Sequence, residues 1–173
     1  MNRKLIFLFV LALGMFVLSC NKDETEEVII PSPLIGTNVY SYGITAPAGA
    51  TITLERTMKL DDFIALNGYQ KNVYKGTVNI SSFIEFVKSS TDIVELKNVT
   101  LQAKGNSKLT YNLGTITGNN KFISLDDFNF LQLLVNEMVT KKEIVLQLSF
   151  LSTNAITNEV KLDVNTNIKF DLK

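Results

Sequence analysis

Apolar and polar residues alternate with a period of two along most of this chain. From Thr51, Ile52, Leu54, Met58 and Leu60 fall on one side and Thr51, Thr53, Glu55, Thr57 and Lys59 on the other, with Arg56 breaking the apolar side. Such alternation predicts a half-buried strand. A strand from Val39 to Ile44 precedes it, closed by Pro47-Ala48-Gly49, and another is expected from Val73 to Ile80. Val99, Leu101 and Ala103 keep one parity while Val94 and Leu96 keep the other, which places a bulge near Lys97. Gly105-Asn106 is a tight-turn signal, with Leu109, Tyr111 and Leu113 on the return strand. Gly118-Asn119-Asn120 turns the chain again, extending a predicted meander. Ile144, Leu146, Leu148 and Phe150 mark a further strand. The last is the cleanest: Val160, Leu162, Val164, Thr166, Ile168, Phe170 and Leu172 share one face.

Three places interrupt this rhythm with an aliphatic residue, two small polar or acidic ones, and Phe. They are Leu60-Asp61-Asp62-Phe63, Ile80-Ser81-Ser82-Phe83 and Leu125-Asp126-Asp127-Phe128. Asp and Ser offer side-chain acceptors to the free N–H groups of a first helical turn, so each reads as a strand-to-helix switch. The first helix is cut short by Asn67-Gly68, the second covers Ser82 to Lys88, and the third, 126–140, is the substantial one. In it Asn129, Gln132, Asn136 and Thr140 form one narrow polar stripe, and the rest is apolar. An arc that wide needs contact on more than one side. The functional alternative makes Asp61, Asp62, Asp126 and Asp127 calcium ligands or catalytic acids. Capping is preferred, because calcium needs more oxygen ligands held in a Gly-turned loop, and none is evident.

Composition narrows the chemistry. The 173 residues include no His, no Trp and a single Cys. Without His the commonest general base and transition-metal ligand are missing, and one Cys allows no intrachain disulfide. No catalytic residue, metal or cofactor is therefore expected. Nucleic acid is not an expected partner either, since Lys+Arg and Asp+Glu balance at 17 each and no basic surface is concentrated.

The N-terminus carries the strongest signal. Asn2, Arg3 and Lys4 precede an apolar run from Leu5 to Leu18, a secretory-signal layout too short to span a bilayer comfortably. Val17-Leu18-Ser19-Cys20 matches a lipobox, and here the chain resembles a bacterial lipoprotein precursor. The resemblance implies cleavage after residue 19 and lipid, palmitate included, on Cys20. Lys22-Asp23-Glu24 is similar to the export signal of Bacteroidota surface lipoproteins, which implies an outer-membrane protein facing the cell exterior. Loss of Arg3 and Lys4 leaves 15 cations against 17 acids.

The expected organisation is a signal peptide over 1–19, a lipidated tether over 20–37, and one mainly β domain over 38–173. That domain should be an immunoglobulin-like or related antiparallel β-sandwich with the helix over 126–140 and one or two short helices. The expected role is a non-catalytic, lipid-anchored surface binding or accessory module, with the membrane as partner through Cys20 and a surface glycan or protein as ligand. The alternative is a lipid-binding or envelope-assembly protein with an apolar cavity between helix and sheet. A large dry pocket would favour the second, and an exposed row among Tyr40, Tyr42, Tyr69, Tyr74 and Tyr111 the first. Cys20→Ala should move the protein from the membrane to the soluble fraction, because each lost acyl CH₂ forfeits about 0.8 kcal/mol of membrane affinity. Equal membrane retention of variant and wild type after fractionation would refute the anchor.

Overall fold

The computed structural model describes residues 30–88 and 93–173. Cys20, Lys22, Asp23 and Glu24 lie outside the described residues. Among the described residues, nine strands and one α-helix follow in the order β1 (Leu34–Ala46), β2 (Thr51–Lys59), β3 (Val73–Val78), β4 (Phe83–Val87), β5 (Glu95–Ala103), β6 (Thr110–Thr117), β7 (Asn120–Phe122), α1 (Leu125–Lys141), β8 (Glu143–Ser152) and β9 (Ile156–Leu172). All pairings are antiparallel. One sheet has the order β1-β9-β4-β7 with β3 also on β9, and the other β2-β8-β5-β6. This is the expected antiparallel β-sandwich. First and last strands are neighbours in one sheet, so it is a related sandwich and not the immunoglobulin order.

The two central strands explain the core. Their even-numbered residues, Leu146, Leu148 and Phe150 on β8 and Leu162, Val164, Ile168 and Phe170 on β9, are sealed from solvent. Phe63 packs edge-on against Phe170 with centroids 5.0 Å apart, a geometry worth about 0.5–1.5 kcal/mol beyond burial. Gly36 makes room for it: a Cβ there would stand 2.8 Å from the Phe63 ring. Tyr42, also buried, donates across the sandwich to the Leu146 carbonyl at 2.8 Å. Burial pushes the Tyr42 phenol well above its ordinary pKa.

Several expectations need revision. Within the stretch read as tether, Leu34–Thr37 already pair with β9, and the Ser32 hydroxyl accepts from Leu172 N at 3.1 Å. The first switch opens only 3₁₀ turns, Leu60–Asp62, Ile64–Leu66 and Tyr69–Lys71, stopped by Asn67 and Gly68 at φ 38° and 93°. The second opens no helix: Phe83–Val87 is β4. The turn after Thr117 does not extend a meander, because β6 lies in one sheet and β7 pairs with β4 in the other. The bulge near Lys97 forms as expected, with the register slipping between Leu96 and Val99 and Asn98 at φ 53°. Arg56 interrupts its apolar face because its Nε donates to the Ser41 carbonyl at 2.6 Å.

The helix closes the open side of the sandwich. Val135 and Val139 sit on Gly76 of β3, where a Cβ would approach Val135 within 2.6 Å. The polar stripe has a task there. Gln132 donates through Nε2 to the Gly76 carbonyl and accepts the Val78 N–H at its Oε1, both at 2.9 Å. Its amide thus bonds to the free edge of β3 as a neighbouring strand would.

β3 and β4 are two parts of one line along β9, separated by Asn79–Ser82. Val78 pairs with Ile168 and Phe83 with Asn165, so four residues face two. Asn79 N donates to Asn167 O at 2.7 Å, and Ser82 N closes a turn onto Asn79 O at 2.9 Å. The Ser82 hydroxyl then accepts from Asn167 N at 2.8 Å and donates to Asn167 O at 3.0 Å. Ser82→Ala should cost about 1–3 kcal/mol, as expected when the Asn167 N–H loses its acceptor while its carbonyl keeps Asn79 N, and Ser81→Ala, at an exposed position, should stay within about 0.5 kcal/mol. Urea unfolding of both variants measures this, and equal midpoints would refute the role given to Ser82.

Candidate functional site

The outward loop between β3 and β4 creates the site. Parity along Gly76, Val78, Ile80, Ser82, Ile84 and Phe86 would bury Ile80, yet the turn at Asn79–Ser82 expels it to 88 % exposure. The buried Ser82 resumes the inward parity. Across from Ile80 lie Ile123, on the segment joining β7 to α1, and Leu125, the first residue of α1, 67 % and 75 % exposed. With Phe128, Ser82 and Ser124 they line an open groove of about 390 Å³. Exposed aliphatic side chains gathered in one groove make it the candidate interaction surface of the domain. Two of the three switch motifs meet here, through Ile80 and Leu125.

The groove rests on a rigid base. Ser124 is the N-cap of α1, its hydroxyl accepting from Asp127 N at 3.3 Å. Asp127 at the third helical position reaches back to accept from Ser124 N and, at 2.6 Å, from Ser124 Oγ. That is a capping box. The expected acidic cap is therefore corrected: Ser124 caps, Asp127 completes the box, and Asp126 is exposed. Asp127 is buried, and its second oxygen accepts from the Tyr111 hydroxyl. Tyr111 in turn stacks on Phe130, centroids 5.1 Å apart. Asp127 is thus spent on structure, with both oxygens engaged by donors. In the first switch, Asp62 does similar work by accepting from Lys59 N at 2.8 Å. No cluster of three or more His, Cys, Asp or Glu exists among the described residues.

The tyrosines form no exposed row. Tyr40 and Tyr42 are in the core, Tyr69 and Tyr111 are half-buried, and Tyr74 is 54 % exposed. The groove residues escaped sequence reasoning because the alternation assigns Ile80 to the core. The available signal was Asn79 with Ser81-Ser82, turn-forming residues on both sides of one aliphatic.

Burial, and then donation to the Asp127 carboxylate, raise the Tyr111 phenol from 10.0 to about 12. The folded state keeps this proton where the unfolded chain loses it. Its contribution is intact below pH 10 and disappears as pH climbs through about 12. Tyr111→Phe should flatten the alkaline fall in melting temperature over that window, relative to wild type. Asp127→Ala should cost about 1–3 kcal/mol at neutral pH, and Asp126→Ala at most about 1 kcal/mol through the helix dipole. An alkaline slope unchanged in Tyr111→Phe would refute the coupling.

No family model, curated protein or solved structure matches this chain.

Proposed function

We propose that this chain is a lipid-anchored cell-envelope protein, held by lipid on Cys20 and directed by Lys22-Asp23-Glu24 to the outer face of the outer membrane. Its sandwich acts as a non-catalytic binding module. The observation that carries this reading is the exposed groove of Ile80, Ile123, Leu125 and Phe128 on a domain whose core is sealed elsewhere. The alternative of a lipid cavity between helix and sheet draws less support, because Val135 and Val139 lie directly on Gly76.

The groove's ligand is an apolar side chain of a partner protein. Asp126, exposed beside Leu125, and the surplus of acids over cations after residue 19 disfavour an anionic lipid surface. No helix among the described residues is long and apolar enough to cross a membrane.

A photo-crosslinking amino acid at position 80 of the full-length protein, irradiated on intact cells, should give a discrete protein adduct. The same group at position 64, where Ile64 is 91 % exposed, should not. No adduct at position 80, the same adduct from both positions, or adducts to lipid alone would overturn the reading.

A further inference from the structure

We propose that the Asn67-Gly68 turn is a site of spontaneous covalent modification, where the Asn67 amide converts through a cyclic imide to aspartate and isoaspartate. Asn is followed by Gly nowhere else in the chain, and the geometry of this turn favours the reaction.

Asn67 and Gly68 join two short 3₁₀ turns, Ile64–Leu66 and Tyr69–Lys71, and both are exposed. Asn67 has φ 38° and ψ 50°, and Gly68 has φ 93° and ψ −9°. They are thus the central pair of a type I′ turn. Nothing holds the peptide between them. The Asn67 carbonyl, the Asn67 side-chain amide and the Gly68 N–H bond no described group. A Cβ built on Gly68 would meet nothing within 4 Å.

Such a peptide is free to flip. Type I′ and type II′ turns differ by rotation of the central peptide, which takes the first ψ to about −120° and the second φ to about −80°. Asn is among the few residues that tolerate the first state, and Gly accepts the second without strain. At that ψ the Gly68 nitrogen faces the Asn67 Cγ.

The chemistry balances with water as its only co-reactant. Solvent removes the Gly68 amide proton, and the nitrogen adds to Asn67 Cγ. The Cγ–Nδ2 bond breaks, Nδ2 takes a proton from solvent, and ammonia leaves behind a five-membered succinimide. Water then opens the ring at either carbonyl carbon. Breaking the new Cγ–N bond gives aspartate. Breaking the original peptide C–N bond gives isoaspartate, with the main chain running through Cβ and Cγ. Both products add a negative charge, and isoaspartate also lengthens the backbone next to Leu66, which is sealed in the core.

Two other asparagines mark the contrast. Asn98 also has a positive φ, 53°, but the β-branched Val99 after it is buried and crowds the nitrogen. In Asn106-Ser107 the Asn106 carbonyl accepts from Leu109 N at 3.0 Å, and Asn106 Nδ2 donates to Glu137 at 3.5 Å. That peptide is held in place.

Incubating the detergent-solubilised full-length protein at mildly alkaline pH, with and without urea, tests this by peptide mapping with liquid chromatography and mass spectrometry. In the folded protein the peptide spanning 67–68 should gain the mass of an amide-to-acid exchange and split into aspartate and isoaspartate forms. Its rate should climb about tenfold per pH unit, as one proton leaves before ring closure, and stay within about tenfold of the rate in urea. Asn106 should convert in urea but not in the folded protein. Gly68→Ala should slow conversion of Asn67 several-fold even in urea, so this result does not depend on the variant folding. No isoaspartate at position 67 of the folded protein, equal folded-state rates at 67 and 106, or an unchanged rate in Gly68→Ala would overturn the site.

Discussion

β9 runs for seventeen residues through its sheet, and its backbone must find partners along both edges, because buried N–H and C=O groups are costly to leave unpaired. β1 serves one edge almost without a break. The other edge is shared by β3 and β4, and the gap between them falls at Asn167. A hydroxyl fills that gap, since Ser82 bonds both the N–H and the carbonyl of Asn167. Because the Ser82 hydroxyl, with Asn79 N sharing the Asn167 carbonyl, satisfies the ladder there, the main chain is free to leave the sheet for two residues. Ile80 and Ser81 are those residues, and the apolar groove on which binding is proposed borders this departure.

Much of the architecture was legible because alternation and burial express the same constraint. The β9 face from Val160 to Leu172, the β8 face from Ile144 to Phe150 and the slip at Asn98 all form where parity puts them. The long helix is equally plain, one residue longer at each end than expected. Errors arose where a local motif fits two structures. Ile80-Ser81-Ser82-Phe83 and Leu125-Asp126-Asp127-Phe128 look alike, yet only the second leads into a helix, with Ser124 ahead of it as a cap. Long-range pairing decides the first, since Ile84 and Phe86 find β9 beside them. Sequence periodicity carries no record of which strand lies alongside.

The candidate groove was hidden for a related reason. A hydrophobicity pattern ranks Ile80 with Val78 and Ile84, and nothing in it separates a residue that faces inward from one expelled by a turn. The acidic pair before the helix was legible as a structural device, though the division of labour was not. Ser124 and Asp127 act reciprocally, and Tyr111 from a distant strand completes the set. A partner so far along the chain cannot be inferred from local spacing.

The bonds of Gln132 to β3 bear on how the domain opens. In an ordinary sheet, the amide proton of an edge strand is shielded by another strand or by nothing. The Val78 proton is shielded by a helix side chain, so its exchange with solvent reports the lifting of α1 and not the fraying of β3. Helix and strand thereby belong to one cooperative unit. Slow isotope exchange at this single amide is a direct gauge of the free energy holding the helix to the sandwich.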